Sequence, residues 1–346
     1  MKAAILTGVK NIVVTEKPKP EPGPGHVLVR VEYCAICGSD VHGYSEGTTV
    51  QPGTVMGHEC SGTVATVGND VKDVQVGDRV WVKPAAHCNE CYWCKKGKFN
   101  QCPNAFATCI GLTPNSDGAF AEYLLVKYPD QMLFKLPPEL SFEEAALIEP
   151  LIVSRHGIRV SRFGLGATAV VIGAGPIGLG VIQFLEIGGA RKIIALEVSA
   201  PRARIAAEKG ADEVLNTVLE REHLKSAILD LTDGVGPDIV FECSGAASAL
   251  HDALYYVASG GQIVVIGLHQ KEIPFDFWTL LHRKVEVRGS LGCEDDDVYD
   301  VINALRTKKI KTESLITDII SLSDIDEKGF KRLLSSEDMV KILVRP

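Results

Sequence analysis

Four cysteines lie close together as C-x2-C-x2-C-x7-C: Cys88, Cys91, Cys94 and Cys102. Four thiolates in so short a span suit a closed tetrahedral zinc site. An iron–sulfur cluster also uses C-x2-C-x2-C, and Pro103 follows the last cysteine as in some ferredoxin runs, but the seven-residue gap does not match. Under either reading the site is not catalytic, because four thiolates leave no coordination position for a substrate. Its role is to hold a lobe in shape. Reaction chemistry must come from elsewhere, and Cys37-Gly38-Ser39-Asp40-Val41-His42, Gly57-His58-Glu59 and Glu149-Pro150 offer a thiolate, imidazoles and carboxylates. Mixed ligands of this kind leave one position open for a substrate oxygen. Taken singly, each is ambiguous: a lone cysteine is usually a small core residue and a lone histidine a satisfied core or surface one.

A second chemistry is written at Gly173-Ala174-Gly175-Pro176-Ile177-Gly178, a G-x-G-x-x-G turn between an apolar strand and a helix. Gly173 permits the tight turn, Gly175 lets backbone approach a pyrophosphate, and Gly178 lets the helix pack on the strand. The helix N-terminus presents free N–H groups and the positive end of its dipole to phosphates. At the end of the next apolar strand stands Glu197, placed to accept hydrogen bonds from the adenosine ribose hydroxyls. A carboxylate there repels a 2′-phosphate, so NAD is favoured over NADP, although Arg202 and Arg204 pull the other way. Later strand ends carry Cys243-Ser244-Gly245, Gly267-Leu268 and Gly289-Ser290-Leu291, where small residues admit the nicotinamide half of the cofactor.

Two kinds of element must position these groups. Short alternating runs such as Val27–Val31 and Gly62–Val67, separated by Gly and Pro, mark the first 150 residues as a barrel-like β unit. From about residue 165 apolar strands alternate with helix-length segments: Ala169–Ile172, Lys192–Leu196, Asp238–Glu242, Gln262–Ile266 and Val285–Arg288. That order is the signature of a doubly wound parallel sheet. An acidic helix start at Glu294–Asp297 follows, and Val340–Val344 is a final strand that could return to the first domain. The fold class is therefore α/β. The expected division is 1-150 with 292-346 for the metal sites and 151-291 for the nucleotide.

Bulk properties narrow the classes further. The chain has 346 residues, 46% hydrophobic and 23% charged, so it folds as about two domains rather than remaining disordered. A formal net charge of −8 opposes a nucleic-acid surface, and Lys95, Lys96 and Lys98 are a solvated face. The uncharged run Gly164–Leu185 holds six glycines and Pro176 and is strand, turn and helix rather than a membrane span. With no export signal at the start, ten cysteines point to metal ligands and free thiols, and the expected location is the cytoplasm.

Together these segments resemble the zinc-containing medium-chain dehydrogenases, and within them the branch holding sorbitol, threonine and (R,R)-butanediol dehydrogenases. The likeness runs the whole length, through C-G-S-D-x-H, G-H-E, the four-cysteine lobe, Asp117-Gly118-Ala119-Phe120-Ala121-Glu122-Tyr123, Glu149-Pro150 and Gly173–Gly178. The tail Glu327-Lys328-Gly329-Phe330 and Lys341-Ile342-Leu343-Val344 is most like the butanediol dehydrogenases. The resemblance implies a GroES-like catalytic domain, a Rossmann cofactor domain, two zinc ions per chain and a homodimer or homotetramer. It implies that Cys37 and His58 bind the catalytic zinc with Glu149 or Glu59 as third ligand, Glu149 being placed ahead. It gives Asp40 the task of orienting His58, Ser39 that of taking the substrate proton, and His42 the outer end of that relay. The implied reaction is oxidation of a secondary alcohol or vicinal diol to a ketone, foremost 2,3-butanediol to acetoin, with polyols such as sorbitol or L-threonine as alternatives. A silent homologue that kept only metal and nucleotide binding would be expected to lose a ligand or the relay, and none is missing. After Glu149-Pro150, the run Leu151–Gly157 with Arg155 and His156 departs from the small apolar residues usual there, which bears on substrate preference.

Overall fold

Alternation in Val27–Ala35 becomes a nine-residue strand at the centre of an antiparallel system, pairing with Glu59–Val67, Tyr123–Val126 and Lys341–Arg345. In this computed structural model residues 1–47, 50–113, 116–219, 223–336 and 338–346 are described. They separate into two compact units, Met1–Glu149 with Leu315–Pro346, and Pro150–Ser314.

The first unit holds a seven-stranded sheet in the order Ile316–Ser321, Lys341–Arg345, Val27–Ala35, Glu59–Val67, Arg79–Val82, Leu133–Lys135, with Tyr123–Val126 pairing on Val27–Ala35. A separate ribbon joins Lys2–Gly8 to Asn11–Glu16. The apolar faces enclose Met56, Val64, Val80, Phe120 and Leu124. Tyr44 stacks on Phe330 at 4.6 Å between ring centroids, and Phe120 meets Phe330 edge-on at 6.2 Å. Each such aromatic pair adds about 0.5–1.5 kcal/mol beyond the area it buries. This is the GroES-like fold that the sequence leads one to expect.

The second unit is a parallel sheet ordered Glu213–Leu215, Lys192–Leu196, Thr168–Ile172, Ile239–Glu242, Gln262–Val265, Glu286–Gly289. In chain order this is 3-2-1-4-5-6, the dinucleotide-binding arrangement. Thr168–Ile172 is buried along its whole length, as a central parallel strand covered on both faces should be.

The return to the first unit falls at Leu315 and not at residue 292. Helix Asp295–Arg306 stays with the second unit because buried Asp297 ties it to helix Ile148–Val160. His156 Nδ1 lies 2.8 Å from Asp297 Oδ2, and Arg159 Nε donates to Asp297 Oδ1 at 2.6 Å. Arg155 and Arg159 also reach Asp300. Burial pulls the Asp297 carboxyl upward, but hydrogen bonds from His156 and Arg159 hold it below its ordinary range. His156 and Arg155 are thus structural clamps. No described helix is long and apolar enough to cross a membrane.

Candidate active site and metal centres

Strand Val27–Ala35 delivers its chain through Ile36 to Cys37, which caps helix Gly38–Glu46. The Cys37 N–H donates to Asp40 Oδ2 at 3.0 Å, so the turn that presents the thiol also fixes the carboxylate. The partner strand opens at Glu59, paired with Ala35, and His58 is the residue before it. Gly57 makes that approach possible: its φ is +97°, and a Cβ there would meet Cys34 Sγ and the Phe120 ring at 2.9 Å.

These elements bring one ligand atom each from Cys37, His58 and Glu59 within 4.8 Å of one another. Glu149, the second residue of helix Ile148–Val160, does not join that group, so the ranking that put it ahead of Glu59 is not the one this geometry favours. Burial and the like charge of Glu59 push the Glu149 carboxyl up to about 7. Asp40 is fully buried, and its Oδ1 and the His58 Nδ1 are 3.5 Å apart, each buried without a hydrogen-bond partner. Ser39 Oγ stands 3.4 Å from His58 Nε2. His42, on the same helix, is partly exposed, with Nδ1 3.6 Å from Glu46.

The electrostatics suit a cation. Burial opposes a charged His58, yet Asp40 and the Cys37 sulfur hold its pKa well above the ordinary value. Burial and Glu59 push the Cys37 thiol up, against the pull of His58. A divalent metal on Cys37, His58 Nε2 and Glu59 would replace the His58 proton and leave Nδ1–H to donate to the orphaned Asp40 oxygen. Thiolate, imidazole and carboxylate are the donor types of an open zinc site.

In the lobe, the thiols of Cys88, Cys91, Cys94 and Cys102 also lie within 4.8 Å of one another. Sulfur separations are 3.5 Å for Cys91 and Cys94, 3.6 Å for Cys88 and Cys102, and 4.0 Å for Cys88 and Cys94. Cys91 caps the short helix Tyr92–Lys95, its sulfur accepting from Cys94 N–H. Without metal the four cannot ionise together: the Glu90 N–H draws Cys88 down to about 6, while desolvation and neighbouring thiols push Cys94 up to about 12. Binding a cation removes that conflict.

In the second unit Gly173 has a φ of +90°, and a Cβ on Gly178 would lie 1.8 Å from Gly173 O. Gly175 caps helix Pro176–Ile187 with nothing within 4 Å of its missing Cβ, leaving open space before the helix N-terminus, where Ile177 is the second residue. Glu197 does more than end its strand. Its buried carboxylate accepts from Ala174 N–H at 2.7 Å, Val198 N–H at 2.8 Å and Ser199 N–H at 2.9 Å. Arg202 lies in the first turn of helix Ala200–Glu208. Cys243, Gly267, Leu268 and Ser290 follow the carboxyl ends of the later strands, with the buried Ser290 Oγ lacking a partner.

Two residues that sequence reasoning passes over organise these sites. Glu242 accepts from Ser244 and Gly245 N–H through Oε1, while His269 Nε2 lies 2.8 Å from Oε2, stapling the loops after two strands. Lys341 is 2% exposed and holds both oxygens of Glu59. The available signal is the same in both cases, a charged residue within or ending an apolar run.

Residues 23–138 match the family described as alcohol dehydrogenase GroES-like domain, and residues 176–307 that described as zinc-binding dehydrogenase. The sorbitol dehydrogenase of Bacillus subtilis (strain 168) is 33% identical over 351 aligned positions, covering 100% of this chain and 97% of its own. Among solved structures, 2R,3R-butanediol dehydrogenase from Bacillus subtilis superposes with a TM-score of 0.90 at 33% identity, covering 100% of this chain and 99% of its own. A putative zinc-binding dehydrogenase from Sinorhizobium meliloti 1021 bound to NADP gives 0.91 at 31%, with the same coverage. Glycine turn, mixed-donor cluster, four-thiol lobe and full-length similarity lead to one conclusion: the chain belongs to the zinc-binding alcohol dehydrogenase family and is a nicotinamide-linked oxidoreductase acting on small molecules.

Proposed function

We propose that this dehydrogenase oxidises a secondary alcohol or vicinal diol to a ketone and runs the reverse reduction, with 2,3-butanediol and acetoin as its substrate pair and NAD as its cofactor. The observation that carries this reading is the convergence of Cys37, His58 and Glu59, three unlike donors that leave a fourth position for a substrate oxygen. Zinc held there supplies a Lewis acid that lowers the pKa of an alcohol, and the nicotinamide supplies the hydride acceptor. Asp40 fixes the His58 tautomer so that Nε2 faces the metal position. Ser39 Oγ, beside that nitrogen, takes the substrate proton, and the partly exposed His42 passes it outward. Cys88, Cys91, Cys94 and Cys102 hold the second zinc, which shapes the lobe. Gly173, Gly175 and Gly178 admit the pyrophosphate, and Glu197 adds ribose hydroxyls to its backbone donors, which disfavours a 2′-phosphate.

For the substrate, the tail segments Glu327–Phe330 and Lys341–Val344 and the butanediol dehydrogenase neighbour favour the diol. The sorbitol dehydrogenase relative supports a polyol as second reading. An NAD-reduction screen over butanediol stereoisomers, acetoin in reverse, sorbitol, xylitol and L-threonine tests this. The diol should give the highest kcat/KM; sorbitol or xylitol ahead of every butanediol stereoisomer refutes it.

A further inference from the structure

We propose that Lys341 is a positioning residue of the catalytic metal site: it holds the Glu59 carboxylate aimed when the metal is away, and eases metal exchange by competing for that carboxylate. This rests on the reading of Cys37, His58 and Glu59 as the metal ligands.

Lys341 opens strand Lys341–Arg345, and its Nζ donates to Glu59 Oε1 at 2.9 Å, to Glu59 Oε2 at 2.8 Å and to Ile36 O at 3.2 Å. An ammonium has three protons, and these three acceptors use them all. Register explains the placement: Leu343 pairs with Ala35, Ala35 pairs with Glu59, and Ile36 N–H donates to Ile342 O. One side chain therefore ties the turn that presents Cys37 to the strand that presents Glu59. Glu59 is fully buried and Lys341 nearly so, and neither is stable in such a place without an opposite charge. Around them stand Cys37, Asp40, Glu149 and His58, so the pocket is rich in acids, and Lys341 is the basic side chain hydrogen-bonded to Glu59. A divalent metal entering the cluster supplies the same compensation to the same carboxylate. Metal and ammonium are thus competitors for Glu59, and a carboxylate released by one is received by the other.

The test uses full-length protein with zinc as the probe. Lys341→Met should retain two zinc ions but release the catalytic one to excess EDTA about tenfold more slowly, the lower end of what close charge pairs couple. Lys341→Arg should restore near-normal release. Glu59→Gln should abolish the difference, so that Lys341→Met changes nothing in that background. Lys341→Met should also lower the melting temperature more in a Cys37→Ser background, where the catalytic site cannot fill, than in zinc-loaded wild type. A lysine that merely fills space would give equal losses in both. Unchanged or faster release in Lys341→Met, or an effect that persists with Glu59→Gln, overturns the proposal. If Lys341→Met alone fails to fold, Glu59→Gln/Lys341→Met removes both charges together; zinc release matching that of Glu59→Gln alone then supports the proposal, and a difference between the two overturns it. Two zinc ions retained by Cys37→Ser would instead overturn the ligand assignment beneath it.

Discussion

Replacing Glu197 by Gln separates two jobs that one carboxylate performs. Its oxygens accept from Ala174 on one side and from Val198 and Ser199 on the other, all at 2.7–2.9 Å. An amide of the same size has one acceptor oxygen, so whichever side it serves, its NH2 confronts an N–H donor on the other. At least one buried donor is stranded, at about 1–3 kcal/mol, and the charge-assisted character of the remaining bonds is lost. A total near 3 kcal/mol lowers the melting temperature of a unit of this size by about 6–12 °C. The assay is thermal unfolding without cofactor and again with saturating NADH. If the carboxylate also binds the ribose, the rise brought by NADH shrinks too, by about 1.4 kcal/mol for each tenfold loss of affinity. A cofactor-free melting temperature within about 2 °C of wild type would refute the stapling argument, whatever happens to NADH binding.

Wild-type protein should use NAD with higher kcat/KM than NADP, and a preference for NADP would make Arg202 or Arg204 the reader of the ribose. Cys94→Ser, which opens the four-thiol lobe, should lower the melting temperature or cause aggregation, because binding energy at a closed zinc site is also folding energy; unaltered stability with one zinc lost removes the structural role. Cys37→Ser should lose one zinc and nearly all diol oxidation while NADH fluorescence titrations stay unchanged, since the glycine turn lies in the other unit. In zinc-free protein the Glu149 carboxyl sits at about 7 against an ordinary 4.5. The folded chain thus holds this proton longer than the unfolded one, and the contribution is complete at low pH and lost as pH rises through about 7. Glu149→Gln should flatten the fall in melting temperature between about pH 5 and 8, and an unchanged slope contradicts that burial.

The parallel sheet is legible in the sequence because strands covered on both faces are continuous apolar runs, as in Thr168–Ile172 and Lys192–Leu196. Glu213–Leu215 escapes for the same reason in reverse, being three residues long at the sheet edge with Glu213 exposed. The order of Glu59 and Glu149 around the metal is not legible, because which carboxylate converges on Cys37 and His58 depends on strand register and helix placement. Nor can the lysine in the run Val340–Val344 be matched to Glu59, 282 positions away. Helix Asp295–Arg306 falls on the other side of the return from the one its sequence suggests, because an acidic first turn signals only a helix start, and its pairing with His156 and Arg159 exists only in the fold.

The return of strand Lys341–Arg345 to Val27–Ala35 also has a consequence for synthesis. At about 5–20 residues per second, the 282 positions between Glu59 and Lys341 take roughly 15–60 s to translate. The whole of Pro150–Ser314 emerges in that interval and is free to fold on its own contacts. The first unit cannot finish: Tyr123–Val126 can already cover Val27–Arg30, but the Cys34–Ala35 end of that strand has no partner, a stretch of edge of the kind that recruits other chains, and Glu59 waits without its cation. The interval in which a nascent chain is open to aggregation or proteolysis is set by the length of the inserted unit, and a circular permutant beginning at Leu315 would make Lys341 before Glu59 and abolish the wait.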